Sequence, residues 1–235
     1  MPATAEAPAW ARTLLFHKPY GVLSQFSPEP GSAWQCLASF IPVPDVYAAG
    51  RLDADSEGLL LLTGDGRLQQ RLTDPGRGHW RRYWVQVEGE ISGDPGALAR
   101  LEAGVPVQGR HTLPARARVL HPAELAAAAI PERDPPIRQR RSIPTSWLQL
   151  ELREGRNRQV RRMSAAVGYP TLRLLRVAID LMDGQPPLSL EGLAPGSWRD
   201  VTPAERIRLE RLKRDSPGRG GRAGGGKSGR AGGGG

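Results

Sequence analysis

Three carboxylates, Asp53, Asp55 and Glu57, occupy alternate positions in a short glycine-bounded loop, residues 50–58, that runs directly into Leu59-Leu60-Leu61-Leu62. A carboxylate can act as a nucleophile or general base when a nearby cation keeps it ionised, and Arg51 lies two residues before Asp53. The spacing also imitates the first half of a calcium loop, in which the first, third and fifth residues ligate and the sixth is glycine. Counting from Asp53, the ninth position is Leu61 and the twelfth is Gly64, so the bidentate glutamate is missing. A calcium loop is excluded. An acid and base acting across a sugar usually come from separate elements, and acidic residues in a turn often do no more than cap it. By itself the loop leaves turn formation and catalysis both open.

A second group is cationic. Arg153, Arg156, Arg158, Arg161 and Arg162 are five arginines within ten residues. The spacing predicts a helix capped by Asn157 and running to about Val167. At about 100° per residue it places Val160, Met163 and Val167 on one stripe and Arg158, Arg161 and Arg162 on the other side. So many guanidinium groups repel one another unless an anion is near, and phosphate matches their fork. A solvated basic face is the alternative, but the formal charge of +9 favours a polyanionic partner. Asp215, Arg219, Arg222, Lys227 and Arg230 contribute only +3 of it. A third candidate is Tyr83 in Arg81-Arg82-Tyr83-Trp84, where a strand tyrosine either fills core or stacks an unstacked base.

These residues need elements to hold them. Short apolar runs predict strands at residues 12–16, 22–25, 59–63, 82–87, 115–120, 147–152, 171–179 and 198–201. Helical spacing or capping predicts helices at 32–40, 67–72, 95–103 and from Thr202-Pro203-Ala204-Glu205 to about Arg214. Residues 121–145, rich in proline, read as a long connection carrying the basic cluster Arg138, Arg140 and Arg141. Without strict β-α-β alternation, the order of elements predicts an α+β fold on a mixed, mainly antiparallel sheet. Residues 1–11 and the Gly/Arg tail 215–235 are expected to be disordered, with the tail resembling an RGG-type segment.

No apolar run approaches the ~20 residues of a membrane span, and the N-terminus lacks the basic start and apolar middle of a signal peptide. Cys36 is the sole cysteine, and His17, His79, His111 and His121 show no ligand spacing. The expectation is a cytoplasmic protein without a metal.

Four motifs, in this order, make the chain resemble pseudouridine synthases of the RsuA/RluB/RluE/RluF family. They are Lys18-Pro19-x-Gly21; Gly50-Arg51-Leu52-Asp53-x-x-Ser56-x-Gly58-Leu59; Arg82-Tyr83-x-Val85; and Glu154-Gly155-Arg156-Asn157-Arg158-Gln159-Val160-Arg161-Arg162-Met163. Segments 135–138, 142–147 and 170–174 are similar to the RluE-like branch, which acts on 23S rRNA. The first motif begins too early for the S4-type RNA-binding domain that many relatives carry in front.

The resemblance implies one catalytic domain, residues 12–214, with two subdomains flanking a basic cleft. It implies isomerisation of uridine to pseudouridine in 23S rRNA, by a monomer that needs no cofactor. The alternatives are action on 16S rRNA or tRNA, or a silent RNA-binding or ribosome-assembly role. Asp53 would be the nucleophile attacking C1′ of the target ribose. Tyr83 would stack on the base and assist loss of the C5 proton, and Arg161 would pair with Asp53. Lys18 and Pro19 would support the loop, while Arg51, Arg138, Arg140, Arg141, Arg156, Arg158 and Arg162 would contact RNA. Asp55 and Glu57 are left as turn and solvent residues.

Overall fold

The computed structural model of the protein describes residues 12–137, 140 and 142–214. The segments expected to be disordered, 1–11 and 215–235, lie outside the described residues, as do Arg138 and Arg141.

The first half of the chain builds one side of a sheet. Strand β1 (Thr13–Lys18) is buried along its whole length, as is β3 (Glu57–Thr63), with the two-residue edge strand β2 (Tyr47–Ala48) between them in sequence. Because side chains alternate along a strand, an unbroken apolar run needs cover on both faces. Leu15, Leu59 and Leu61 pack with Leu68 and Leu72 of α1 (Gly66–Thr73), while Leu14, Phe16, Leu60 and Leu62 pack with Val22, Leu37, Ile41 and Val43 of the 22–46 segment. Asp65 caps α1 by accepting from the amides of Arg67 and Leu68.

The second half follows the same rules. Strand β4 (Arg81–Glu88) leads to α2 (Pro95–Ala103), which is capped by Asp94 and opened by Pro95. A small hairpin of β5 (Pro106–Val107) and β6 (Arg110–His111) follows, then β7 (Arg116–Val119) and the short α3 (Pro122–Ala127). Beyond it come β8 (Thr145–Leu152), α4 (Gln159–Ala166), β9 (Thr171–Ile179), β10 (Leu188–Ser189) and β11 (Trp198–Asp200). Helix α5 (Pro203–Arg214) opens on a reciprocal cap. The Glu205 amide donates to Thr202 Oγ1 at 3.2 Å and the Thr202 amide to Glu205 Oε2 at 2.7 Å.

The main sheet runs β11-β1-β3-β9-β4-β8-β7, with β2 added to β3 and β10 to β9. Every pairing is antiparallel except β3 with β9, which touch in parallel only at Glu57–Leu175 and Gly58–Arg176. This seam joins two lobes, one around β1 and β3, the other around β4, β8 and β9 with α2 and α4. The α+β class and the mainly antiparallel sheet are as the sequence leads one to expect.

Four local expectations are corrected. The connection 121–145 opens with the helix α3, led by Pro122 at its first turn. Residues 32–40 form only a single 3-10 turn, Leu37–Ser39, and residues 22–25 form a lone bridge, Val22–Gln35, in place of a strand. The two stretches run side by side, with the Leu23 amide donating to Gln35 O and the Gln35 amide to Gly21 O, so their backbone groups are satisfied without a helix. Asn157 does not cap α4. Arg158 holds that place in a left-handed conformation, φ 52°, with no side-chain cap.

Candidate active site

The seam creates the site. At Gly58, φ is +114°, and a Cβ there would stand 2.3 Å from the carbonyl oxygen of Arg176. Only glycine lets β3 approach β9 this closely. The loop ahead of Gly58 opens onto a cleft of about 550 Å³ lined by residues of the central loop, β4, β9 and the 152–160 segment.

The loop is fixed from below. Ser24 Oγ donates to Leu52 O at 2.7 Å and accepts from the Leu52 amide at 3.0 Å, while the Gly21 amide donates to Ala54 O at 2.8 Å. Lys18 is fully buried beneath it and donates to the carbonyls of Val22 at 2.6 Å, Pro19 at 3.0 Å and Ala54 at 3.5 Å. Burial pulls its ammonium down to about 7, against the opposing fields of Glu57, Asp55 and Asp53. Lys18 thus holds the backbone around Asp53 and does not reach the cleft lining.

Asp53 lines the cleft with its side chain 37% exposed, and its nearest cation is Arg158, with Nη1 at 3.7 Å from Oδ2. The expected Arg161–Asp53 ion pair is not present among the described residues. Arg161 Nη2 instead donates to the Asp55 backbone carbonyl at 2.7 Å and lies 3.4 Å from Asp55 Oδ2. The left-handed turn at Arg158 brings that guanidinium over the loop, where it grips both carboxylate oxygens of Asp55 at 2.9 and 3.2 Å. Arg161, one turn further along α4, therefore reaches the loop backbone behind Asp53.

Asp55 and Glu57 are not solvent residues. Burial pushes the Asp55 carboxyl up, but hydrogen bonds from Arg158 and the charge of Arg161 outweigh it and hold it below its ordinary value. Glu57 is buried and takes a two-pronged contact from the equally buried Arg173, at 2.8 and 2.9 Å. Asp53 is left as the carboxylate of this loop that lines the cleft.

Tyr83 on β4 faces the same cleft and is 8% exposed. Its cross-strand partner is Arg176 on β9, also in the cleft lining. Arg176 is 3% exposed. Its Nε donates to Leu59 O at 2.8 Å and its Nη2 has no hydrogen-bond partner among the described residues. Burial depresses this guanidinium, with the nearby Tyr83 hydroxyl offsetting part of the effect. A buried donor without a partner is costly, and this one belongs to a guanidinium that sits beside Tyr83. Sequence reasoning did not single out Arg176. The available signal was the pair of charges, Arg173 and Arg176, inside a largely apolar strand, Thr171–Ile179.

The cleft walls are basic. Arg81 donates to Leu72 O and Arg153 to Gly78 O, so backbone carbonyls orient these two arginines without cancelling their charge, while Arg156 donates to His111 O and pairs with Glu154 at 3.4 Å. Arg51 stands exposed at the mouth. Of the other arginines expected to touch RNA, Arg162 binds Asn157 Oδ1 at 3.0 Å and Arg140 lies 3.6 Å from Glu88, both outside the cleft lining. Among the described residues no group of His, Cys, Asp or Glu is arranged to hold a metal, and no helix is long and apolar enough to cross a membrane.

Comparison with known proteins places this geometry. The family profile described as RNA pseudouridylate synthase matches residues 12–166, which include Asp53, Tyr83 and Arg161. The chain is 50% identical over 198 residues to the ribosomal large subunit pseudouridine synthase E of Xanthomonas campestris, covering 84% of this chain and 99% of that one. It is 46% identical over 191 residues to the protein of the same name from Vibrio vulnificus, covering 81% and 75%. A crystal structure of a pseudouridylate synthase superposes with a TM-score of 0.65 at 26% identity, covering 84% of this chain and 73% of the other. A loop carboxylate and a strand tyrosine facing one arginine-walled cleft thus have the sequence and the fold of known uridine-isomerising enzymes, and the chain belongs to the RNA pseudouridylate synthase family.

Proposed function

We propose that this protein converts uridine to pseudouridine in 23S ribosomal RNA, with Asp53 as the nucleophile and residues 12–214 as the catalytic domain. The carrying observation is that Asp53, Tyr83 and Arg176 converge on one basic cleft while Asp55 and Glu57 are occupied by arginines. The relatives named for the ribosomal large subunit support the choice of RNA.

In this reading the target uridine leaves its stack and enters the cleft, at a cost of about a few kcal/mol that phosphate contacts on the rim offset. A carboxylate oxygen of Asp53 attacks C1′ of the ribose, and the N1–C1′ bond breaks with its electrons on N1. The freed uracil turns in the cleft. A bond then forms from C5 to C1′, releasing Asp53. The C5 proton leaves with the help of Tyr83 and N1 takes up a proton, so one proton is lost and one gained and the composition is unchanged. Arg158 stands 3.7 Å from the attacking carboxylate, Arg161 steadies the loop backbone, and Arg176 Nη2 offers a donor to the base. In this reading the enzyme is a cytoplasmic monomer, with every residue of this set carried by one chain.

The test is pseudouridine mapping of 23S rRNA from cells whose sole copy carries Asp53→Asn, which keeps the shape and removes the charge. Loss of one site that the native copy restores is the expected result. Modification that persists at full level overturns the role of Asp53.

A further inference from the structure

A second recess, of about 630 Å³, adjoins the cleft and shares Gly50, Arg51 and Thr73 with it. One wall is the 24–27 segment with Phe26, another is β2, and the third is α1 through Gln69. Tyr47 projects here with 58% of its surface exposed, the most exposed large apolar side chain among the described residues. An aromatic ring left open beside a nucleic-acid cleft is suited to stacking. The polar lining is equally selective. Gln25 Nε2 donates to Ser27 O and Gln69 Nε2 to Ala48 O, both at 3.0 Å, which fixes each amide. Their carbonyl oxygens have no hydrogen-bond partner among the described residues and are free to accept. No carboxylate lines the recess, and its one cation, Arg51, stands at the boundary shared with the cleft.

We propose that this recess binds a neighbouring nucleobase of the same RNA strand, one carrying an exocyclic amino group. The base stacks on Tyr47, its amine donates to Gln25 or Gln69, and Arg51 meets the phosphate between it and the target uridine. The subsite rests on the uridine-isomerisation reading above. It makes the choice of target depend on the flanking sequence as well as on the uridine itself.

The experiment uses the full chain and in-vitro transcribed 23S rRNA to map the modified uridine. An oligoribonucleotide spanning that uridine then carries 2-aminopurine at each neighbouring position in turn. With the native protein, fluorescence at one neighbouring position changes on binding. Tyr47→Ala abolishes that change and raises KM about ten-fold, the scale of one base stack, with a smaller effect on kcat. Tyr47→Phe, which keeps the ring, restores both. If the native chain forms pseudouridine while Tyr47→Ala leaves KM and the fluorescence change untouched, the subsite is overturned alone. If the native chain forms no pseudouridine, the uridine-isomerisation reading is overturned and the subsite with it.

Discussion

At the scale of single residues, three acids in one loop have three different fates. Asp53 faces the cleft, Asp55 ties the loop to α4 through Arg158 and Arg161, and Glu57 is buried on Arg173. The different partners set the cleft-facing acid apart from the two that hold the loop. They also set a pH dependence. The folded value of Asp55 is depressed, so its ionised form contributes stability above the ordinary carboxylate range, and that contribution is lost as pH falls through the folded value. Below about pH 4, native stability measured by urea unfolding should therefore fall more steeply with acid than that of Asp55→Asn. Equal slopes would remove Asp55 from the acid response. Asp53 and Tyr83 were legible in the sequence because motif order singled them out. The partner of Arg161 was not, because it depends on the left-handed turn at Arg158, which no residue type there announces. Arg176 escaped notice for a related reason: a strand pattern records burial and says nothing of which buried cation faces a cavity.

At the scale of elements, the β3–β9 seam decides whether those residues meet. It has only two register pairs, and Glu57–Arg173 reinforces it from inside the protein. Removing one charge of a buried pair strands the other, so Glu57→Gln should cost about 3–5 kcal/mol in urea unfolding. Replacing both, Glu57→Leu with Arg173→Met, should recover most of that loss. A single change costing no more than an exposed ion pair, about 1 kcal/mol or less, would refute the seam's dependence on this contact. Most elements could be read from apolar runs and caps, including β9, whose span 171–179 matches the expectation. The parallel seam could not, because Gly58 reads locally as a turn residue and its close approach to Arg176 is visible only once two distant strands lie together.

At the scale of the whole molecule, charge prepares the surface for a polyanion. Part of the +9 balance stands at the cleft, where Arg81 and Arg153 are held by backbone carbonyls. Binding to single-stranded RNA should weaken steeply with salt, and each phosphate contact removed should reduce the log-log slope by about 0.7. Arg51→Gln with Arg153→Gln is predicted to flatten the slope by two such steps in a filter-binding series. Arg162→Gln, outside the cleft lining, should leave it unchanged. A slope indifferent to the first pair would place the RNA elsewhere. The basic character was evident from composition, but its distribution was not. The sequence drew attention to the arginine-rich helix, whereas the cleft wall also recruits Arg81 from β4 and Arg176 from β9.

The seam has a further consequence for how the chain reaches its working state. Glu57 and Arg173 are 116 residues apart in sequence, and almost everything between them builds the second lobe. Local hairpins such as β5–β6 can close early, but the parallel contact must wait until two distant strands find each other, at a large loop-closure cost. Asp53, Tyr83 and Arg176 are brought together only in that step. A partly folded chain can hold much of its secondary structure and still lack the assembled cleft.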